Sequence, residues 1–299
     1  MSEAETFRVQ RATSDFRWPN GARIAVVFNL AYEAWSPGKA PGIGPMGNVL
    51  QPGFFDTNAH SWASYGAVRG IQRLTRIAAA NGVKASIMVN AVLAETHPAV
   101  LAELHAAGHE IVAHSYGMDV IPVYFDEAGE RANIRRTTDL IAGITGERPL
   151  GWISPRGTGS LISPRLLAEE GYVWFGDCND DDLPAIIAAS DAVDSPRIVA
   201  IPLTMDVNDL PHSIRYGNAP AALVEQFRAI LDNAPRADDA PFMLDVTAHT
   251  HAFGRPAGAW AYDAMIKLAL ERDDIWIGTR MEIARHALAQ GQMFKDQTT

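Results

Sequence analysis

A histidine at the end of a short apolar run is the first residue in the sequence whose type and place suggest chemistry. His114 lies in Gly108-His-Glu-Ile-Val-Ala-His-Ser-Tyr-Gly-Met-Asp119, where the apolar residues 111–113 predict a buried strand. The carboxyl ends of such strands are where α/β folds collect catalytic groups, and Ser115 follows directly. The alternative is an ordinary histidine whose hydrogen bonds are satisfied at a strand end.

Glu33 has the same relation to a second apolar run. Residues 24–28 read Ile-Ala-Val-Val-Phe, which suits a strand buried on both faces, and Glu33 and Trp35 come soon after it. A carboxylate and an imidazole at neighbouring strand ends can activate water and protonate a leaving group. The alternative is that Glu33 is an exposed loop carboxylate, as most surface acids are.

More polar side chains follow later predicted strands. They lie in Ser154-Pro-Arg156, in the acidic run 177–182, in residues 204–209 and in His249-Thr-His251. If these strand ends share one rim, Glu33 and a histidine can serve as base and acid, and Arg156 can stabilise an oxyanion. That combination predicts hydrolysis of an amide-like bond. Turn formation is the other explanation for the Asp and Asn side chains of 206–209, and we interpret Asp180 to Asp182 as structural.

The elements that must position these residues alternate along the chain. Strands are predicted at 85–89, 150–153, 172–175, 198–201, 242–246 and 275–277. Helices are predicted at 67–81, 97–104, 127–144, 163–170, 219–231 and 257–270, with a last helix from Arg280. This alternation favours one α/β domain over residues 1–299, built as a parallel barrel. The exceptions are a polar N-terminal arm, 1–20, and a Gly/Pro-rich insertion, 36–53, which we expect to shape a binding site or a subunit contact.

Composition excludes several classes of function. The net charge of −10 and pI near 5.3 argue against nucleic acid and anionic membrane as partners. The single cysteine, Cys178, excludes an intrachain disulfide and a cysteine-based zinc cluster, and a nucleophilic role for it needs a partner histidine. No apolar run has the roughly 18 residues of a membrane span, and the N-terminus does not look like a secretory signal. We therefore expect a soluble, cytoplasmic protein.

Four stretches together resemble the polysaccharide deacetylase superfamily, also called the NodB-homology or carbohydrate esterase 4 type. They are Gly151-Trp-Ile-Ser-Pro-Arg156, Asp180-Asp-Asp-Leu-Pro184, Ile201-Pro-Leu-Thr-Met-Asp-Val-Asn-Asp209 and His249-Thr-His-Ala-Phe-Gly-Arg-Pro256. Within that superfamily the chain is similar to the allantoinase-like and cyclic-imide-hydrolase-like branch. The resemblance implies a distorted (β/α) barrel that assembles as a homo-oligomer, a dimer or a tetramer.

The sequence departs from the superfamily pattern at its metal motifs. Polysaccharide-directed members carry Thr-Phe-Asp-Asp, with one aspartate as base and its neighbour as metal ligand, where this chain has only Glu33. They also carry two histidines four residues apart, where this chain has His114 and Met118. A thioether is a poor zinc ligand, so the metal triad implied by the resemblance lacks its third member.

Two hypotheses about metal follow. In the first, a divalent ion, zinc by the types of ligand, is weakly held by Glu33 and His114 with help from His251, His60 or Asp119. Alternatively the enzyme uses no metal, because the activated carbonyl of an imide or ureide needs less Lewis-acid assistance than an acetamide.

We favour hydrolysis of a C–N bond in a small cytosolic cyclic imide, ureide or related amide. Glu33 is then the base, His249 the acid, and Arg156 lies near the developing charge. The residues expected to contact the substrate are His114, Ser115, Asp206, Asn208, Asp209, Trp35 and His251. One alternative is a metal-dependent N-deacetylase of an acetylated sugar or polysaccharide. Another is a barrel that binds a small molecule without catalysis.

Overall fold

The chain alternates strands and helices through the part that the computed structural model describes, residues 7–42, 44–47, 49–188 and 195–296. The strands are β1 (Arg8–Ala12), β2 (Ile24–Tyr32), β3 (Ser86–Val89), β4 (Glu110–Ala113), β5 (Gly151–Trp152), β6 (Trp174–Phe175), β7 (Ala185–Ala188), β8 (Arg197–Ala200), β9 (Phe242–His249), β10 (Ile275–Ile277) and β11 (Phe294–Asp296). The helices are α1 (Thr57–Tyr65), α2 (Ile71–Ala80), α3 (Val92–Thr96), α4 (Pro98–Ala106), α5 (Glu127–Thr145), α6 (Ser163–Glu169), α7 (Pro220–Ala237), α8 (Pro256–Leu270) and α9 (Arg280–Ala289).

One parallel-rich sheet contains all of these strands. Its order is β10-β2-β3-β4-β5-β6-β8-β7-β1-β11, and β9 pairs with β2. The pairings from β2 through β6 to β8 are parallel, as the alternation of elements predicts, so the α/β class is confirmed. Between β8 and β9 the described residues make one parallel backbone bridge, Asn208 with Thr247, in place of a full ladder. The barrel is therefore distorted at this seam.

Three antiparallel strands at one end of the sheet depart from the predicted pattern. β1 pairs with β7 on one side and with β11 on the other. Part of the predicted N-terminal arm, 1–20, is thus an integral strand of the sheet. Its sequence, Arg-Val-Gln-Arg-Ala, has no continuous apolar run because the strand is only half-buried, and such a strand gives little signal in the sequence.

β2 is buried over its whole length and continues beyond the predicted 24–28. The polar residue Asn29 is tolerated inside it because its amide nitrogen donates to Asp245 of β9 at 2.7 Å. Asp245 in turn pairs with the fully buried Arg280 at 2.7 Å. This buried ionic group links β2, which ends one residue before Glu33, to β9, which ends at His249. Its hydrogen bonds offset the cost of burying charge.

The helical segment predicted at 67–81 begins earlier and contains an irregular turn. Asp56 caps α1 by accepting from the backbone N–H of Ala59 at 2.8 Å. A π-helical turn, Gly66–Gly70, then joins α1 to α2. Glycine is required at position 70, because a Cβ there would lie 1.8 Å from the carbonyl oxygen of Thr250. This close approach packs the α1–α2 corner against the loop that follows β9.

Two further predicted segments, the insertion 36–53 and the helix 127–144, can be compared with the structure. The described residues of the insertion 36–53 form turns and bends without helix or strand, in agreement with their glycine and proline content. The predicted helix 127–144 is confirmed as α5, which Asp126 caps at one end and Gly146 ends in a left-handed conformation. None of the described helices combines the length and hydropathy needed to cross a membrane.

Candidate active site

Glu33 and His249 lie side by side because β2 and β9 are adjacent, paired strands. β2 and β9 pair in parallel with Ala31 opposite His249, so Glu33 follows β2 at the edge where β9 ends. His249 Nε2 lies 3.4 Å from Glu33 Oε1, and both side chains are buried. An imidazole and a carboxylate thus face each other where little water can screen them.

Asp209 holds the opposite side of the His249 ring. Its Oδ1 lies 2.6 Å from His249 Nδ1, while its Oδ2 accepts the backbone N–H groups of His249 at 2.8 Å and Phe253 at 3.1 Å. Because a carboxylate only accepts, the hydrogen lies on Nδ1, and Nε2 is the nitrogen directed at Glu33. Asp209, predicted as a substrate contact, therefore uses both oxygens to orient His249.

His114 approaches Glu33 from the end of β4. Its Nδ1 donates to the carbonyl oxygen of Ile153 at 2.6 Å, and its Nε2 lies 3.8 Å from Glu33 Oε1. Asn90 fixes the backbone on both sides, since its Nδ2 donates to the carbonyl of His114 and its Oδ1 accepts the N–H of Ala34 at 3.0 Å. Asn90 was missed in the sequence although it follows the predicted strand 85–89, a position equivalent to that of His114.

His251 completes the group around Glu33. Its Nδ1 lies 3.9 Å from Glu33 Oε2, and the ring is 1% exposed. The ring packs edge-to-face with Trp62 of α1, at 4.6 Å between centroids, with His249 at 5.7 Å and with Trp35 at 6.2 Å. His251 Nδ1 has no hydrogen-bond partner among the described residues. Trp62 therefore lies at the site, beside the group around Glu33.

Burial and mutual charge set the protonation states of the group. Burial raises the pKa of Glu33, but the charge of His249 and contacts with the His114 and His249 rings outweigh it and hold that pKa well below its usual range. Burial lowers the pKa of His249, yet Glu33 and Asp209 raise it to about 10. For His251 burial prevails over Glu33 and lowers the pKa to about 4. Near neutral pH, Glu33 is thus a carboxylate, His249 an imidazolium and His251 a neutral ring.

Of the other predicted site residues, two are exposed and two use a polar side-chain atom on the protein itself. Arg156 and Asp206 are exposed, and Arg156 has the left-handed φ of 62° in a turn after β5. Asn208 is buried and its Oδ1 accepts the N–H of Leu210 at 3.1 Å. Ser115 is buried and donates to the carbonyl of Val120 at 2.6 Å.

Cys178 and the acidic run after it are outside the chemistry. Burial raises the pKa of the Cys178 thiol to about 12, which disfavours the reactive thiolate. Asp180 and Asp181 pair with Arg11 of β1 at 2.5 and 2.6 Å. The structural interpretation of the acidic run is confirmed by these ion pairs.

The zinc ion implied by the resemblance fits these side chains poorly. Glu33 and His114 provide two donors, but the third place in the pattern belongs to Met118, and the imidazolium of His249 has no free lone pair. Asp119 accepts the N–H of Ser36 at 2.8 Å, and His60 is exposed. No group of three or more His, Cys, Asp or Glu side chains in the described ranges is placed to hold a metal. The donor set around Glu33 therefore differs from the three-ligand zinc motif that the resemblance implies.

Comparison with known proteins places the chain in a family. The polysaccharide deacetylase family profile matches residues 56–173. A crystal structure of PuuE allantoinase is 32% identical, with a TM-score of 0.79 over 91% of this chain and 92% of that one. A structure of a probable polysaccharide deacetylase from Pseudomonas aeruginosa is 29% identical, with a TM-score of 0.81 over 91% and 93% of the two chains.

A more distant similarity shows the fold alone. A carbohydrate esterase 4 family pseudoenzyme from Bacillus anthracis is 13% identical, with a TM-score of 0.52 over 89% of this chain and 66% of that one. The higher identities to the allantoinase and deacetylase structures extend over 91% of this chain. The chain therefore belongs to the polysaccharide deacetylase family, in agreement with its allantoinase-like branch, and is a hydrolase of C–N bonds other than peptide bonds.

Proposed function

We propose that the protein opens a small cyclic imide, ureide or related amide by hydrolysis of a C–N bond. The observation that carries the proposal is the placement of His249 between Asp209 and Glu33, at 2.6 and 3.4 Å. This arrangement provides a carboxylate able to take a proton and an imidazolium able to give one, in contact within one buried site.

In the proposed reaction Glu33 acts as the base, His249 as the acid, and Asp209 orients His249. Glu33 accepts a proton from a water molecule as the water oxygen bonds to the substrate carbonyl carbon. The C–N bond then breaks, and the proton on Nε2 of His249 passes to the departing nitrogen. Asp209 keeps the His249 ring in orientation and stabilises its positive charge. The products are a carboxyl group and an N–H group, which stay in one molecule when the substrate is a ring.

The surroundings of Glu33 support a small and flat substrate. Trp35 and Trp62 are half-buried and pack their rings against His251, beside the carboxylate. Aromatic faces of this kind suit a planar imide or ureide ring. The similarity to PuuE allantoinase, whose name refers to a ureide, points the same way.

The remaining substrate contacts are proposed from the sequence. His114 and His251 lie nearest to Glu33. Asp206, Asn208 and Ser115 are predicted contacts from loops at the same strand ends, and Arg156 is the predicted cation near the developing charge. We also propose that the protein works in the cytoplasm and needs no tightly bound metal.

An N-deacetylase of an acetylated sugar or polysaccharide is the second candidate function. The family profile supports it, because the matched residues 56–173 include His114, the histidine of the implied metal motif that this chain keeps. Deacetylases of this family generally depend on a divalent metal, which Glu33 and His114 would have to hold in this chain. A non-catalytic barrel is the third candidate, and its support is limited to the fold shared with the pseudoenzyme.

A substrate screen separates these candidates. Purified protein and its Glu33→Gln variant are assayed with allantoin-like, hydantoin-like and succinimide-like rings and with N-acetylglucosamine. The proposal predicts ring opening by the wild type and a loss of at least about 10³-fold in the variant, because the base is removed. Ring opening by neither protein, with release of acetate by the wild type, would establish the deacetylase instead.

We propose in addition that the protein is a homo-oligomer, a dimer or a tetramer. The insertion 36–53 supports this, because its described residues include exposed apolar side chains at Met46, Val49 and Leu50. Sedimentation of the wild type and of a Val49→Asp, Leu50→Asp variant checks the assignment. Equal masses at the monomer value would overturn it.

A further inference from the structure

We infer that His251 stabilises the oxyanion of the reaction by donating a hydrogen bond from Nδ1 to the substrate carbonyl oxygen. The inference rests on the proposed function in one respect, that water held at Glu33 attacks a carbonyl carbon. Such an attack turns the carbonyl oxygen into an oxyanion, and a hydrolase needs a donor aimed at the place where it forms.

The unpartnered nitrogen of His251 is the observation that carries the assignment. Nδ1 is buried and makes no hydrogen bond among the described residues, although buried polar atoms are rarely left unpaired. It lies 3.9 Å from Oε2 of Glu33, which is too far for a hydrogen bond. Nδ1 is therefore a polar atom beside the base that no described protein group satisfies.

The neighbouring carboxylate decides which role this nitrogen has. A lone pair on Nδ1 directed at Glu33 would be repelled, whereas an N–H there is attracted to the negative charge. In the neutral ring this favours the tautomer with the hydrogen on Nδ1, and in the protonated ring Nδ1 carries a hydrogen in any case. Nδ1 is thus a donor in both states.

The ring is held rigidly enough for this role. The backbone carbonyl oxygen of His251 accepts a hydrogen bond from Arg255 Nε at 2.9 Å. The preceding residue, Thr250, donates its N–H and its hydroxyl to the backbone carbonyl oxygen of Ala31, each at 3.0 Å. Trp62 packs edge-to-face on the ring at 4.6 Å. A donor fixed before the substrate arrives needs little reorganisation when charge develops.

The placement of the three groups agrees with a single reacting carbon. Glu33 Oε1 faces His249 Nε2, the proposed proton donor to nitrogen, and Glu33 Oε2 faces His251 Nδ1. Water at the carboxylate would therefore attack a carbonyl whose nitrogen points to one histidine and whose oxygen points to the other. His251 supplies the electrophilic assistance that a metal provides in metal-dependent hydrolases.

Three substitutions at one position test the inference. Asn places an amide N–H where Nδ1 lies, Gln places one where Nε2 lies, and Phe keeps the ring without a donor. We expect His251→Phe and His251→Gln to lower kcat by about 10²–10³-fold with little change in KM, and His251→Asn to stay within about tenfold of the wild type. If the Phe variant does not fold, the Asn and Gln pair carries the comparison.

The assay uses whichever compound the wild type turns over, so the outcome is separate from the identity of the substrate. Ring opening by the wild type supports the proposed function, and release of acetate alone would refute it. In either case a higher kcat for His251→Asn than for His251→Gln supports the oxyanion role. Equal kcat values for those two variants, or a Phe variant as fast as the wild type, would overturn it.

Discussion

His249 Nδ1 lies 2.6 Å from Oδ1 of Asp209, a residue with no exposed surface, and this contact fixes how the candidate site can work. It leaves Nε2 as the nitrogen that faces Glu33 and helps to keep the ring protonated near neutral pH. A histidine oriented in this way can give a proton to the substrate only from Nε2.

Replacing Asp209 by Asn should cost activity without unfolding the protein. The amide preserves the shape of the side chain but removes the charge that raises the pKa of His249 and favours hydrogen on Nδ1. We expect kcat to fall by about 10²–10⁴-fold, as when the orienting carboxylate of a catalytic histidine is neutralised. The alkaline limit of kcat/KM should also move to lower pH. An unchanged pH profile would show that Asp209 does not act through His249.

The pH dependence of wild-type activity follows from two pKa shifts. Glu33, with its pKa well below the usual range, stays ionised through mildly acid pH, and His249, with a pKa of about 10, stays protonated through mildly alkaline pH. We expect kcat/KM for a non-titrating substrate to be flat between pH values of about 6 and 9 and to fall near 10. A decline centred near pH about 6.5, the ordinary pKa of histidine, would contradict these assignments.

Stability should also depend on pH through His249. The folded-state pKa of about 10 exceeds the ordinary value, so the folded protein retains a proton that the unfolded chain releases above pH about 6.5. The free energy of unfolding should therefore fall as pH rises toward 10, by at most about 1.4 kcal/mol per pH unit from this group. Urea unfolding of the wild type and of His249→Gln measures the effect. Parallel curves for the two proteins would contradict it.

Gly70→Ala should damage both the fold and the site. The added Cβ would lie 1.8 Å from the carbonyl oxygen of Thr250, between the two site histidines, so the loop after β9 must move. We expect about 1–3 kcal/mol of destabilisation and a large loss of kcat. Gly143→Ala in α5 is the matched control, because no atom lies within 4 Å of its added Cβ and alanine favours helix. Thermal unfolding and kcat of both variants provide the comparison.

The sequence predicts the buried parallel strands of the sheet better than the antiparallel strands at its end. Apolar residues predominate in β2 and β9 and identify both strands, because strands covered on both faces bury most of their side chains. β1, β7 and β11 went unrecognised. They are short, and in β1 and β11 exposed and half-buried residues predominate, so their pairing depends on partners distant in the chain.

The expectation that polar residues after parallel strands share one rim groups Glu33, His114 and His249 correctly. It does not tell which of the other polar residues after those strands reach the site. Asp206 and Asp209 belong to one loop, yet only Asp209 is buried, because the backbone bridge between Asn208 and Thr247 fixes which carboxylate reaches His249. That bridge is a long-range contact without a local sequence signal. Arg156 likewise looked suitable by spacing, although the turn in which it lies leaves it exposed.

The most direct test of the account is hydrolysis of a ureide or imide ring by protein that has been stripped of metal. Wild-type enzyme is treated with chelator, its metal content is measured, and ring opening and release of acetate from N-acetylglucosamine are followed with and without added zinc. We expect full ring-opening activity in the metal-free sample and little change on adding zinc. Activity that appears only with zinc, and only on the acetylated sugar, would contradict it.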